Sequence, residues 1–114
     1  MDNKRVLIVD DVKSILRFFT LILQRKGYST DTAETGKEAL EKISNQFYDV
    51  ALIDVVLPDT NGLNLLKRIP PKTKKIMITG TASEENQKRA QTEGANAYLL
   101  KPVKPEKLLQ IIAN

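Results

Sequence analysis

The chain has 114 residues, of which 41% are hydrophobic and 28% are charged, a composition typical of one soluble globular domain. It contains neither cysteine nor histidine, which excludes disulfides, thiolate metal sites, Ser-His-Asp triads and Cys-His nucleophiles. The formal net charge is +4, but the basic residues are scattered and no aromatic-basic motif accompanies them, so we expect no direct binding of nucleic acid. No apolar run approaches the roughly 20 residues that a membrane span requires, and we expect a cytoplasmic protein without membrane contact.

The first half of the chain alternates apolar runs with segments of helical periodicity. The run 6–9 predicts a strand that is buried on both faces, and apolar residues at helical spacing over 12–23 predict a helix. The segment 28–33 mixes polar and small residues, which favours a strand at the sheet edge. A capping box at 35–38 opens a second helix, and the apolar run 50–54 predicts a second buried strand.

The same alternation continues beyond residue 54. A short helix that uses Leu63, Leu66 and Ile69 must end before the two prolines that follow it. The basic run 72–75 is predicted to be a loop, and the apolar run 76–79 is predicted to be a strand.

The last part of the chain predicts one more strand between two helices. A second capping box at 81–84 opens a helix whose apolar anchors are essentially Ala82 and Ala90, and so little burial predicts a weakly held element. The run 97–100 predicts the final strand, and Pro105 marks the start of the final helix.

Repeated strand-helix units predict a parallel sheet with helices on both faces and right-handed crossovers. The carboxyl ends of such strands meet at one edge of the sheet, where ligands bind. Polar side chains stand at these predicted ends: Asp10 and Asp11, Asp54, Thr79 and Lys101. The sequence therefore predicts that these side chains form one site.

The residue types of this predicted site favour phosphoryl chemistry. Three carboxylates in one pocket repel one another unless their pKa values rise or a divalent cation binds. Oxygen ligands suit magnesium, while Lys101 offers a positive charge and Thr79 a hydroxyl donor. An aspartate beside a cation and a lysine is suited to attack a phosphoryl donor. Each residue alone has an ordinary explanation, such as a helix cap for Asp10 or Asp11, but their joint occurrence favours a site.

In these motifs the chain resembles the receiver domains of two-component response regulators, of the chemotaxis-regulator type. The resemblance extends from Val6 to Ile112 and rests on motifs at the predicted strand ends and in the loops after them: Asp10-Asp11, Asp54 with Pro58 and Gly62, Thr79-Gly80, and Tyr98-Leu99-Leu100-Lys101-Pro102. It implies an α/β fold of the flavodoxin-like, doubly wound (βα)5 type, with a five-stranded parallel sheet of order 2-1-3-4-5. It also implies that residues 1–114 form a single receiver domain.

The resemblance further implies a role for each site residue. Asp54 would accept a phosphoryl group from a histidine kinase and, with Asp11, would hold Mg²⁺ directly, with Mn²⁺ as a substitute. Asp10 would hold the cation through water and Val56 through its backbone carbonyl. Lys101 would pair with the phosphate.

The implied response to phosphorylation involves two further side chains. Thr79 would move to bond the phosphate, and Tyr98 would turn inward. This movement would reshape the face made by the fourth predicted helix, the fifth strand and the fifth predicted helix. That face would bind an output domain or target protein, or a second copy in a phosphorylation-dependent homodimer.

Two further details are implied by the same resemblance. The bond between Lys101 and Pro102 would be cis, which proline permits at a small cost. The side chains of Val56 and Thr81 would tune access of the hydrolytic water. Because an apolar Val56 cannot orient that water, we expect slow self-dephosphorylation.

Other functions remain open from the sequence. A phosphorylation-independent pseudo-receiver would serve only as an interaction module, although the intact set of acidic, threonine and lysine residues argues against it. A flavodoxin-like cofactor-binding domain needs a Ser/Thr/Gly-rich loop after the first strand, where this chain has 10–13, Asp-Asp-Val-Lys. An aspartate-nucleophile phosphatase typically carries an acidic residue where Val56 stands and needs room for a cap domain. We therefore expect a phosphoacceptor that catalyses only its own phosphorylation and hydrolysis.

Overall fold

A computed structural model describes residues 4–114 and shows a single five-stranded parallel sheet. The strands are β1 (Arg5–Val9), β2 (Ser29–Ala33), β3 (Val50–Asp54), β4 (Lys74–Thr79) and β5 (Ala97–Leu100). Their spatial order is β2-β1-β3-β4-β5, which confirms the predicted topology. The mixed polar segment β2 lies at one edge, as predicted, and the fully buried β3 lies at the centre.

Helices cover both faces of the sheet. They are α1 (Lys13–Arg25), α2 (Gly36–Asn45), the 3₁₀ helix η1 (Gly62–Arg68), α3 (Glu84–Thr92) and α4 (Pro105–Ala113). The fourth and fifth helices predicted from the sequence are thus α3 and α4. Within residues 4–114, no helix combines the length and the apolar character needed to cross a membrane.

The core is divided by the sheet because successive strand side chains point to opposite faces. Val6 and Ile8 pack with the buried residues of α1 and α4 on one face. Leu7 and Val9 pack with those of α2, η1 and α3 on the other face. The continuous apolar run of β1 thus follows from burial on both sides, which is usual for an inner parallel strand.

The prediction of a loop over 72–75 is wrong only for its second half, because residues 72–73 form a turn but β4 already begins at Lys74. Lys75 is only 5% exposed, and its Nζ donates a hydrogen bond to the Thr73 carbonyl at 2.9 Å. The Nζ of Lys74 donates to the carbonyl of Ile111, in the last turn of α4, at 2.8 Å. Backbone oxygens therefore satisfy two lysine side chains whose charge favoured a loop in the sequence.

The two predicted capping boxes differ in outcome. Thr35 caps α2 as predicted, since its side chain accepts from the Glu38 N–H at 3.0 Å. The predicted cap at 81–84 is wrong, because Ser83 caps α3 and accepts from the Asn86 N–H at 3.1 Å. Ala82 is exposed and lies before the helix, which leaves Ala90 as the buried residue of α3.

Candidate functional site

Three carboxylates converge at the carboxyl edge of the sheet. Asp10 directly follows β1 and Asp54 ends β3, and these two strands are hydrogen-bonded neighbours. Asp10, Asp11 and Asp54 each place one oxygen within 4.8 Å of the others. Asp10 is 3% exposed and Asp54 is 6% exposed, whereas Asp11 is open to solvent. The predicted acidic cluster is therefore one pocket of oxygen donors, the kind that suits a hard divalent cation.

Lys101 joins this pocket from the end of β5. Its backbone N–H donates to the Thr79 carbonyl at 2.8 Å, which continues the pairing between β4 and β5. Its Nζ lies 2.9 Å from Asp10 Oδ2 and 3.1 Å from Asp54 Oδ2. Burial acts to lower the pKa of Lys101, but the hydrogen bonds to the two carboxylates outweigh it and raise that pKa. Lys101 is therefore held as a cation between two buried carboxylates.

Backbone donors fix the orientation of the same two carboxylates. Asp10 Oδ1 accepts from the Val12 N–H at 2.9 Å, and Asp54 Oδ1 accepts from the Val56 N–H at 3.1 Å. Burial nevertheless raises the pKa of Asp54, and the negative charge of Asp10 adds to that rise. The Val56 N–H and Lys101 oppose it. Asp54 thus lies in an environment that disfavours an unneutralised negative charge.

Thr79 and Tyr98 lie on neighbouring strands beside the pocket. Thr79 is 2% exposed, and its Oγ1 accepts from the Thr81 N–H at 3.3 Å. Tyr98 is paired in register with Met77 and packs against the core beneath α3. Its hydroxyl is buried and has no hydrogen-bond partner among residues 4–114. A buried hydroxyl without a partner is costly to the folded state.

The peptide bond between Lys101 and Pro102 is cis, the state that the resemblance implies. Val56 extends its side chain into solvent and is 68% exposed. It therefore lies beside Asp54 without covering the pocket, and it offers no polar group to a nearby water.

Hydrogen bonds hold the loop after β3, residues 55–62, at its base and at its tip. The Gly62 N–H donates to the Val55 carbonyl at 2.6 Å, and a β-carbon on Gly62 would lie 2.0 Å from the Asp54 carbonyl oxygen. At the tip, the Asp59 carboxylate accepts from the N–H groups of Gly36 and Lys37 at 2.9 and 3.0 Å. Sequence reasoning missed Asp59, because no local pattern connects it with a helix that begins more than twenty residues earlier.

Comparison with known proteins agrees with this geometry. The family profile described as the response regulator receiver domain matches residues 6–113. The chain is 34% identical over 110 residues to the transcriptional regulatory protein ResD of Bacillus subtilis, covering 95% of this chain and 46% of ResD. The chain therefore spans about half the length of the curated relatives it matches.

Two solved structures show the same fold. A CheY-like response regulator receiver domain protein from Methanospirillum hungatei shares 45% identity at a TM-score of 0.94, covering 98% of this chain and 92% of that one. A response regulator from Burkholderia pseudomallei shares 28% identity at a TM-score of 0.90, covering 96% of this chain and 66% of that one. That structure is described as containing a phosphorylated aspartic acid, a calcium ion and citrate. This chain belongs to the family of response regulator receiver domains of two-component systems.

Proposed function

We propose that residues 1–114 form a single receiver domain in which Asp54 accepts a phosphoryl group from a histidine kinase in a Mg²⁺-dependent reaction. The observation that carries the proposal is the convergence of Asp10, Asp11, Asp54 and the Lys101 ammonium at one edge of the sheet. The phosphorylated aspartic acid and calcium ion of the Burkholderia pseudomallei neighbour support it. Family membership also supports a cytoplasmic location.

Phosphoryl transfer from the kinase to Asp54 and the later hydrolysis each form one bond to phosphorus and break one. A carboxylate oxygen of Asp54 attacks phosphorus, and the bond between phosphorus and the kinase imidazole nitrogen breaks. Its electron pair stays on that nitrogen, which takes up a proton from water. In hydrolysis a water attacks phosphorus, the bond to the Asp54 oxygen breaks, and inorganic phosphate leaves. The domain thereby returns to its starting state without turning over a separate substrate.

The donor set fits a divalent cation. Asp11, Asp54 and the Val56 carbonyl would hold Mg²⁺ or its substitute Mn²⁺ directly, and Asp10 would hold it through water. A bound cation neutralises charge on the carboxylates and on the transferring phosphoryl oxygens. Lys101 Nζ lies 3.1 Å from Asp54 Oδ2, where it can pair with a phosphoryl group.

The proposed response lies on the face formed by α3, β5 and α4. Tyr98 lines three open surface pockets there, with volumes of about 210, 270 and 430 Å³. Ala90 is the buried residue of α3, so this helix shifts at little cost in buried area. We assign this face to an output domain or target protein, or to a second phosphorylated copy. Thr79 would bond the phosphate and couple it to this face.

Intact-mass measurement tests the phosphoacceptor assignment. The protein is incubated with acetyl phosphate and Mg²⁺, beside the Asp54→Asn variant and an Asp49→Asn control. Asp49 lies at the opposite end of β3, where its Oδ2 accepts from the Arg5 N–H, a bond that asparagine can keep. We expect one added phosphoryl group on the wild type and on Asp49→Asn, and none on Asp54→Asn or after chelation of Mg²⁺. An unmodified wild type that also fails to bind Mg²⁺ would instead favour a phosphorylation-independent interaction module.

A further inference from the structure

The loop 55–62 forms a narrow hairpin with Asp59 at its tip. Val56 and Asn61 pair as an antiparallel bridge, and the Leu57 N–H donates to the Thr60 carbonyl at 3.3 Å. The hairpin carries Val56, whose backbone carbonyl is a proposed cation ligand. Because Val56 belongs to the paired part of the hairpin, a movement of the tip is transmitted to the segment that carries this carbonyl.

Hydrogen bonds to Asp59 connect the tip of the hairpin to the start of α2. The two carboxylate oxygens of Asp59 accept from the first two N–H groups of α2, those of Gly36 and Lys37. The next two N–H groups of that helix already have partners within their own segment, at the side chain and carbonyl of Thr35. Hydrogen bonds to the start of a helix favour a negative charge, and they lower the pKa of Asp59. Asp59 thus completes the hydrogen bonding of a helix that is remote from it in sequence.

Packing supports the same contact. A β-carbon on Gly36 would lie 2.5 Å from Thr60 Cγ2 and 3.5 Å from Asp59 Oδ1. The hairpin tip therefore packs directly against the start of α2, where a β-carbon would displace the side chain of Thr60. The hydrogen bonds of Asp59 and the close packing of Thr60 against Gly36 both place the hairpin tip at the start of α2.

We propose that Asp59 is a positioning residue of the phosphorylation site, which fixes the Val56 carbonyl toward the cation by anchoring the hairpin to α2. Groups that orient metal ligands from outside the ligand set contribute strongly to metal affinity. The inference rests on the proposed function, because it assumes that Val56 helps to hold the cation. By linkage, cation binding also strengthens the contact between Asp59 and α2.

Magnesium titration of Asp59→Ala tests the inference, with Thr35→Ala as the matched control. Thr35 accepts a hydrogen bond from the same helix start, and among residues 4–114 its side chain has no hydrogen bond to the hairpin. Two readings are taken at each Mg²⁺ concentration: the rate of phosphorylation by acetyl phosphate and the shift in Tm without any phosphodonor. For Asp59→Ala we expect the half-saturating Mg²⁺ concentration to rise roughly tenfold in both readings. The rate at saturating Mg²⁺ should change by a smaller factor than the half-saturating concentration. Thr35→Ala should lower the Tm but leave half-saturation unchanged.

Asp59→Asn keeps the test decisive where the alanine variant fails to fold. Asparagine retains one acceptor oxygen, so its half-saturating concentration should lie between those of the wild type and Asp59→Ala. Equal half-saturation in the wild type and the folded Asp59 variants would overturn the positioning role while leaving the proposed function intact. A wild type without any response to Mg²⁺ would overturn the proposed function and, with it, this inference.

Discussion

At the scale of single residues, Asp54 shows how a reactive group is kept at a cost to stability. It lies at the end of a strand that is buried on both faces, and it is only 6% exposed. Burial and the charge of Asp10 disfavour its ionised form, while Lys101 and the Val56 N–H partly compensate. A hydrophobic side chain would pack there without this conflict, so the conflict itself is a signal of function. That signal is visible in the sequence as a carboxylate that ends an apolar run.

Tyr48, at the opposite end of the sheet, predicts a pH dependence of stability. Burial and the hydrogen bond to Asp31 raise its pKa from 10.0 to about 12. Between these values the unfolded chain releases a proton that the folded protein keeps, so the free energy of unfolding falls as the pH rises through this window. We expect a loss of up to about 2.7 kcal/mol from this source, which Tyr48→Phe should remove.

Urea denaturation of both proteins between about pH 9 and about pH 12 measures this difference. The wild type should lose stability more steeply than Tyr48→Phe over the upper part of the range. Parallel pH profiles for the two proteins would show that Tyr48 keeps its ordinary pKa in the folded state.

At the scale of elements, the hydrophobic pattern of the sequence was sufficient to predict the strands that are buried on both faces. The inner strands β1 and β3 follow from unbroken apolar runs. The start of β4 could not be predicted, because the Nζ of Lys74 donates to the carbonyl of Ile111 in α4, a contact between segments that are remote in sequence. The contact between Asp59 and α2 is equally non-local. Such pairings depend on the folded arrangement, and no local sequence pattern specifies them.

The loop after β3 has no room for a β-carbon at Gly62. A β-carbon there would lie 2.0 Å from the Asp54 carbonyl oxygen and 3.0 Å from Ile53 Cγ2. Since the first of these atoms is backbone, relief requires movement of the strand that carries the phosphoacceptor. We expect Gly62→Ala to lower the free energy of unfolding by about 2 kcal/mol or more, as measured by urea denaturation.

Gly80→Ala provides the comparison. A β-carbon at that position would meet no atom within 4 Å, so its effect on stability should stay below about 1 kcal/mol. Equal stabilities of the two variants would mean that the loop moves freely away from Asp54, contrary to the tight packing at Gly62.

At the scale of the whole molecule, the parallel sheet gathers residues that are distant in sequence into one pocket. Asp10, Asp54 and Lys101 come from the ends of different strands, yet they meet within hydrogen-bonding distance. This gathering was predictable, because the carboxyl ends of parallel strands share one edge. The distances and the orienting N–H donors were not, since they depend on the turns that follow each strand.

The gathered negative charge predicts that Mg²⁺ stabilises the folded protein. A ligand that binds only the native state adds about 2.7 kcal/mol of stability at a concentration one hundred times its Kd. We expect Mg²⁺ to raise the Tm, and Asp54→Asn to weaken the rise because it removes one ligand. Thermal denaturation in NaCl of equal ionic strength separates specific binding from screening. An identical Tm in the two salts would argue against a cation site in the acidic pocket.

The side of the sheet opposite the acidic pocket carries hydrogen bonds that serve the fold. There the Thr73 hydroxyl donates to the Tyr48 carbonyl at 2.6 Å, Lys75 donates to the Thr73 carbonyl, and Tyr48 donates to Asp31. Two of these bonds lie at the amino ends of the strands, away from the acidic pocket, and the third reaches Asp31 in the middle of β2. A substitution at Thr73 or Tyr48 can therefore change the stability of the fold without moving the groups that carry the phosphoryl chemistry.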